Sequence, residues 1–274
     1  MPRELVITND LTGSALAVFE AAMLASVRER GRFVVALAGG TTPLGAYRAL
    51  ADRHDLPWDA TYVFWGDERF VPASDPASNA RAAREALLYH VPVPADQVFA
   101  WPTPDGEEDT TDAAGGADAA GGADADNPRR DDDRVLMAKA RAAAESYAAT
   151  LTRVLGDLPT FDLQLLGLGA DGHTASLFPG DAAASAAAVA LATRPYGVEH
   201  VRLSLTAEAL SRSRTVAFLV SGEAKRAALV ATLQGGDARS YPARAVTALE
   251  RMVWITDLPF PPYGRSAQRP GSAR

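Results

Sequence analysis

The sequence predicts an α/β fold built on one mainly parallel sheet flanked by helices. Three observations lead there. Short apolar runs of strand length alternate with longer segments of helical period along nearly the whole chain. Glycine-rich or polar turns follow four of those runs, starting at Gly39, Gly66, Gly167 and Gly222. The 274 residues, 47% of them hydrophobic, suffice for one large domain with a sizeable core.

Leu5-Val6-Ile7 reads as the first strand. Residues 11–30 read as a helix, with Leu16, Phe19, Met23 and Val27 recurring at spacings of three and four. Strand 33–37 ends in Ala38-Gly39-Gly40-Thr41-Thr42-Pro43, and helix 44–52 follows. Strand 62–65 runs into Gly66-Asp67-Glu68-Arg69. Residues 78–88 are helical in pattern, and Val98-Phe99 is a short strand. Residues 105–133 are rich in Ala, Gly and Asp and hold no aromatic or branched aliphatic side chain. Such a segment cannot bury enough surface to offset its ordering entropy, so it reads as a disordered acidic insertion. Helix 139–155 and strand 161–166 come next, and the strand ends in Gly167-Leu168-Gly169-Ala170-Asp171-Gly172-His173. Further strands are expected at 189–192, 201–205, 215–220 and 252–255, with a helix at 223–233. The single domain therefore spans 1–260, interrupted at 105–133, and 261–274 is a loose tail rich in Pro, Arg and Ser.

Composition narrows the function. With no cysteine, disulfides, thiolate nucleophiles and Cys-ligated zinc are excluded. No basic segment leads into an apolar run at the N-terminus, and no apolar stretch approaches ~18 residues without a charge. A cytoplasmic protein without a membrane span is the expectation. The net charge of -7 is misleading, because 105–133 alone carries -9 and the rest of the chain sums to +2. A near-neutral body admits an anionic ligand but lacks the basic excess that nucleic acid calls for. Arginine outnumbers lysine 25 to 2, so the two lysines, Lys139 and Lys225, stand out.

In a parallel sheet, ligands bind at the carboxyl ends of strands, and several of the four turns are expected to meet there. Gly39-Gly40-Thr41-Thr42 lets backbone N–H groups and hydroxyls approach an anion at a helix start, though a GG pair also serves as a plain tight turn. It is neither a Walker A loop nor a dinucleotide fingerprint. Arg69 offers a planar donor fork, or alternatively a surface ion pair with its acidic neighbours. Asp171, two residues before His173, can orient an imidazole. The four histidines are scattered and no HExxH is present, so no metal site is expected. No GxSxG elbow marks a serine hydrolase. Lys225 near a helix start opposes the helix dipole, which fits a bound anion or a solvated lysine.

Taken together, these segments resemble the 6-phosphogluconolactonase family. The resemblance rests on Ala38-Gly39-Gly40-Thr41-Thr42-Pro43, on the run from Trp65 to Pro72, on Ser78-Asn79, on Asp171-Gly172-His173-Thr174-Ala175-Ser176-Leu177-Phe178-Pro179-Gly180, and on Gly222-Glu223-Ala224-Lys225. It covers nearly everything except the insertion and the tail. It implies a Rossmann-like domain related to ribose-5-phosphate isomerase and glucosamine-6-phosphate deaminase. The implied reaction hydrolyses 6-phospho-D-glucono-1,5-lactone to 6-phosphogluconate, in the oxidative pentose phosphate pathway, without cofactor or metal. It implies His173 as general base with Asp171 beside it. Gly39, Gly40, Thr41, Thr42, Asp67, Arg69 and Lys225 are implied as substrate and phosphate ligands. The family's Pro-Lys-Pro-Pro run is replaced here by Thr193-Arg194-Pro195-Tyr196, so Arg194 is the expected substitute for its lysine, with Arg202 as the competing choice. The expected partner is a small sugar-phosphate lactone, not nucleic acid or membrane, and the expected state is a monomer or small homo-oligomer. The alternatives are a glucosamine-6-phosphate deaminase-like isomerase and a non-catalytic sugar-phosphate-binding regulator. The first needs an acid soon after the Asp-Gly-His turn, and none occurs before Asp181.

Overall fold

A computed structural model of the chain describes residues 3–106, 128–181, 188–195 and 197–259. Six parallel strands form the main sheet: β1 (Arg3–Ile7), β2 (Phe33–Leu37), β3 (Thr61–Trp65), β5 (Phe161–Gly167), β8 (Ser213–Val220) and β9 (Arg251–Thr256), in the spatial order β1-β9-β8-β5-β2-β3. All five residues of β2 are buried, as a strand covered on both faces requires. The chain runs outward from β2 to β3 on one side and from β5 through β8 to β9 on the other. The neighbours β2 and β5 therefore flank the point where the order reverses, and their carboxyl ends open a crevice there.

Helix α1 (Leu11–Arg30) starts at Asp10, whose Oδ1 accepts from Gly13 N at 2.8 Å, and stops at Gly31 in the left-handed region (φ 69). It is long and apolar enough to cross a membrane, but it lies against the sheet with Ala15, Val18, Phe19 and Met23 buried. Helix α4 (Pro128–Leu155) covers the other end. Its Tyr147 stacks on Trp101 at 3.8 Å, and its hydroxyl accepts from Trp65 N at 2.9 Å, which locks the end of β3.

Two features depart from the expected pattern. First, 189–192 and 201–205 do not extend the parallel sheet. They become β6 (Ala190–Thr193) and β7 (Arg202–Leu205) of a separate antiparallel sheet, ordered β4-β7-β6, whose edge strand β4 (Asp67–Arg69) reads in sequence as a loop. Gly66 joins the two sheets: its N–H donates to Leu37 O at 3.0 Å and its carbonyl accepts from Leu205 N at 2.9 Å. Second, α4 begins at Pro128 rather than at Lys139, so 128–133 of the acidic segment are helical. Proline presets φ at a helix start. Residues 107–127 of that segment, and the tail 261–274, lie outside the described residues.

Candidate active site

The crevice at the strand reversal is a cleft of about 280 Å³. The ends of β2, β3, β5 and β8 supply its walls through Gly39 to Pro43, Gly66, Gly167 to Gly169, and Leu219. Asp67, Arg69, His173 and Lys225 also line it.

The β2 turn is shaped by its neighbours. A Cβ on Gly39 would lie 1.9 Å from Asn79 Oδ1, so only glycine fits there. Buried Asn79 in turn donates from Nδ2 to Asp67 O at 3.0 Å and holds that turn to β4. Gly40 sits at φ 95 as the cap of helix α2 (Thr41–Ala51), and no side chain caps it. The first-turn N–H groups of Thr41 and Thr42 thus open on the cleft, where the helix dipole favours an anion.

On β4 the side chains alternate. Glu68 turns inward and is buried; its carboxylate accepts from Asn79 N (2.7 Å), Ala80 N (2.8 Å), Arg69 N (2.8 Å) and Ser78 Oγ (3.2 Å). It therefore caps helix α3 (Asn79–Ala83). Burial still pushes its pKa up to about 7 against those hydrogen bonds. Asp67 is buried and accepts from Ser176 Oγ at 2.7 Å, while Ser176 N donates to Ser204 Oγ at 3.2 Å. This chain of contacts fastens the small sheet to the turn that carries His173. Arg69 Nη1 donates to Ala77 O at 2.5 Å.

The β5 turn brings Asp171 and His173 together. Asp171 Oδ1 lies 2.6 Å from His173 Nδ1 and also accepts from His173 N at 3.1 Å. A carboxylate can only accept, so Nδ1 holds the ring proton and Nε2 is left as the basic nitrogen. Gly169 N donates to His173 O at 2.8 Å and Gly172 N to Gly169 O at 3.0 Å, which closes the turn on itself. Phe178 stacks on the imidazole at 4.7 Å. Next to it, Ala175 adopts φ 47, the one non-glycine positive φ among the described residues. That conformation costs about 1–3 kcal/mol and is held by the Thr174–Leu177 backbone pair around it.

Lys225 stands half-buried in the short turn Glu223–Lys225 that precedes helix α5 (Arg226–Gln234). Desolvation lowers its pKa, with Asp257 acting in the opposite sense. Arg194, in contrast, does not line the cleft: it pairs with Asp133 of α4 at 2.5 Å. Arg202 does not line the cleft either, but it lies directly opposite the cleft residue Arg69 in the β4–β7 register. Its Nε is buried with no hydrogen-bond partner, and desolvation followed by the Arg69 charge lowers its pKa. Sequence reasoning gave no role to Asn79 or Ser176, whose importance lies in contacts far along the chain. Among the described residues, no three His, Cys, Asp or Glu side chains gather as metal ligands.

A switch-point crevice holding an oriented imidazole, an open helix start and fixed cations defines an α/β protein suited to a small anionic ligand. The comparisons narrow this class. The family model for glucosamine-6-phosphate isomerases and 6-phosphogluconolactonase matches residues 8–254. The chain is 37% identical over 234 residues to a 6-phosphogluconolactonase of Synechocystis, covering 85% of each. It is 35% identical over 238 residues to one of Mycobacterium tuberculosis, again 85% of each. The solved 6-phosphogluconolactonase of Thermotoga maritima superposes with a TM-score of 0.73 at 27% identity, over 93% of this chain and 99% of that one. The chain belongs to the glucosamine-6-phosphate isomerase and 6-phosphogluconolactonase family.

Proposed function

We propose that the chain is a soluble cytoplasmic 6-phosphogluconolactonase: it hydrolyses 6-phospho-D-glucono-1,5-lactone to 6-phosphogluconate, with His173 as general base. The observation that carries the mechanism is the 2.6 Å contact of Asp171 with His173 Nδ1, which leaves Nε2 basic at the cleft. A lactone is an activated ester, so water needs only modest help. His173 takes a proton from the water that attacks C1 and returns it to the ring oxygen as the C1–O bond breaks. The phosphate sits among Gly39, Gly40, Thr41, Thr42, Arg69, Arg202 and Lys225, and Asp67 helps to hold the sugar and the turn. Phosphate binding then fixes the carbonyl beside the base. Arg202 replaces Arg194 in this reading, because Arg194 is engaged by Asp133 whereas Arg202 is the register partner of the cleft residue Arg69 and its Nε has no partner.

The deaminase reading finds less support. Asp181, the first acid after the turn, accepts from Thr193 Oγ1 at 2.5 Å and does not line the cleft. The experiment is a lactonase assay with spontaneous hydrolysis subtracted. His173→Ala is expected to lose ~10²–10⁴-fold in kcat with product binding nearly intact. A folded variant that keeps more than half the wild-type kcat removes the base from this role.

A further inference from the structure

Gly172 lies between Asp171 and His173 at φ 89. A Cβ placed on it would meet the ring of Tyr241, 2.5 Å from Cδ1 and 3.3 Å from Cγ. The same ring presses a second glycine: a Cβ on Gly236 would lie 2.4 Å from Cδ2 and 2.8 Å from Cε2. One aromatic ring thus fills a slot between two backbones that are both cut back to receive it. The segment that carries it is bonded to the catalytic turn on either side of the ring. Ala243 N donates to Gly172 O at 3.3 Å, and Gly180 N donates to Arg239 O at 2.9 Å. The segment is itself stiff: Asp237 accepts from Tyr241 N, Arg239 N and Ser240 N at 2.9–3.0 Å.

We infer that Tyr241 is a positioning residue for His173, acting through Gly172 as a wedge that holds the turn in register. Its effect runs through the backbone. Gly172 fixes the spacing of the residues on either side of it, and the Asp171–His173 contact of 2.6 Å depends on that spacing. On the opposite side the imidazole rests on Gly169, where a Cβ would fall 2.0 Å from Nδ1, and Phe178 stacks on it. The turn is therefore confined by Gly169 and Phe178 at the ring and by Tyr241 at the backbone. Removal of the wedge frees Gly172 to relax while leaving the phosphate ligands in place. Among the described contacts the Tyr241 hydroxyl makes no hydrogen bond, so the ring and not the hydroxyl is the working part.

The kinetic consequence rests on His173 being the base; the structural one does not. The test joins a KM-against-kcat split to the imidazole ¹⁵N shifts of His173, assigned by difference from His173→Ala. Tyr241→Ala is expected to lower kcat by about tenfold with KM within about twofold, the pattern of lost orientation. Its ¹⁵N shifts should show a mixture of the two neutral tautomers where the wild type holds the proton on Nδ1. Tyr241→Phe should match the wild type in both readouts. Where the alanine variant does not fold, Tyr241→Leu is read in its place with the same expected tautomer change. An unchanged tautomer in the folded Ala or Leu variant overturns the inference, as does a Phe variant as impaired as Ala. If His173→Ala keeps its activity, the base reading fails while the tautomer result still decides the wedge.

Discussion

Arg69 and Arg202 are direct partners across the antiparallel β4–β7 pair, and the Arg69 charge, after desolvation, lowers the Arg202 pKa while Asp67, Glu68 and Glu199 act in the opposite sense. Of these acids, Asp67 also holds Ser176 and Glu68 also caps α3. Two like charges placed together repel, so the arrangement calls for an anion between them. Arg202→Gln should lower kcat/KM for the phosphorylated lactone by ~1.5–3 kcal/mol, the worth of a charge-assisted hydrogen bond. Activity on unphosphorylated gluconolactone should change little, and Lys225→Ala should behave alike. Equal losses on both substrates would place these cations away from the phosphate.

Glu68 makes stability depend on pH. Burial first, opposed by three backbone N–H groups, raises its pKa from 4.5 to about 7. The folded state then keeps a proton that the unfolded chain releases above 4.5. Its stabilising contribution is complete below that value and is lost as pH rises through about 7. The contribution is at most about 3–4 kcal/mol, at ~1.4 kcal/mol per pH unit. Glu68→Gln removes the titration at the cost of part of the α3 cap. Melting temperatures compared from pH 5 to 7.5 should fall in the wild type relative to the variant. Parallel curves would show that the four donors keep Glu68 ionised throughout.

Gly169 tests how closely the imidazole is seated. Its φ is not in the left-handed region, so alanine is tolerated by the backbone. The new methyl, however, would sit 2.0 Å from His173 Nδ1 and 2.5 Å from Asp171 Oδ1. Gly169→Ala is therefore expected to fold and to lose kcat nearly as fully as His173→Ala, within the ~10²–10⁴-fold range of a displaced base. A folded Gly169→Ala enzyme with wild-type kcat would show that the ring reaches the water from another rotamer.

How much of this was legible in the sequence depended on the range of the signal. The existence of the main strands followed from apolar runs such as Phe33–Leu37, buried on both faces, while their spatial order came from the structure. Asp171 and His173 are two residues apart, so their pairing is local and readable. The small sheet was not, because β4 is the three polar residues Asp67–Arg69, with no apolar alternation to announce a strand. The observations that favour Arg202 over Arg194 in the proposed site, strand register and the Asp133 contact, are set by residues far away in sequence. Tyr241 carried no local sign at all: its role comes from Gly172, about 70 positions earlier.

The acidic segment can be divided by deletion. Residues 107–127 contain no Val, Ile, Leu, Met or aromatic residue, so their removal takes nothing from the core. Closing a shorter loop recovers only ~0.6 kcal/mol per halving of its length. Joining Gly106 to Pro128 is thus expected to leave melting temperature and lactonase kinetics near wild type. Extending the deletion to 105–133 is different, because it removes the first turns of α4 and the Asp133 partner of Arg194. The exposed ion pair itself is worth at most about 1 kcal/mol. The larger loss is helix length, since Pro128 supplies a preset start and the next helical residues would begin uncapped. The longer deletion should therefore melt several degrees lower while keeping kcat, because neither Asp133 nor Arg194 lines the cleft. The charge of -9 on 105–133 also repels an anionic substrate over a Debye length of ~8 Å at physiological salt, so the shorter deletion, which removes seven net negative charges, should raise kcat/KM only at low ionic strength. Equal melting temperatures for the two deletions would show that α4 gains nothing from its first turns, and a tenfold loss of kcat/KM in the shorter one would make 107–127 part of the working enzyme.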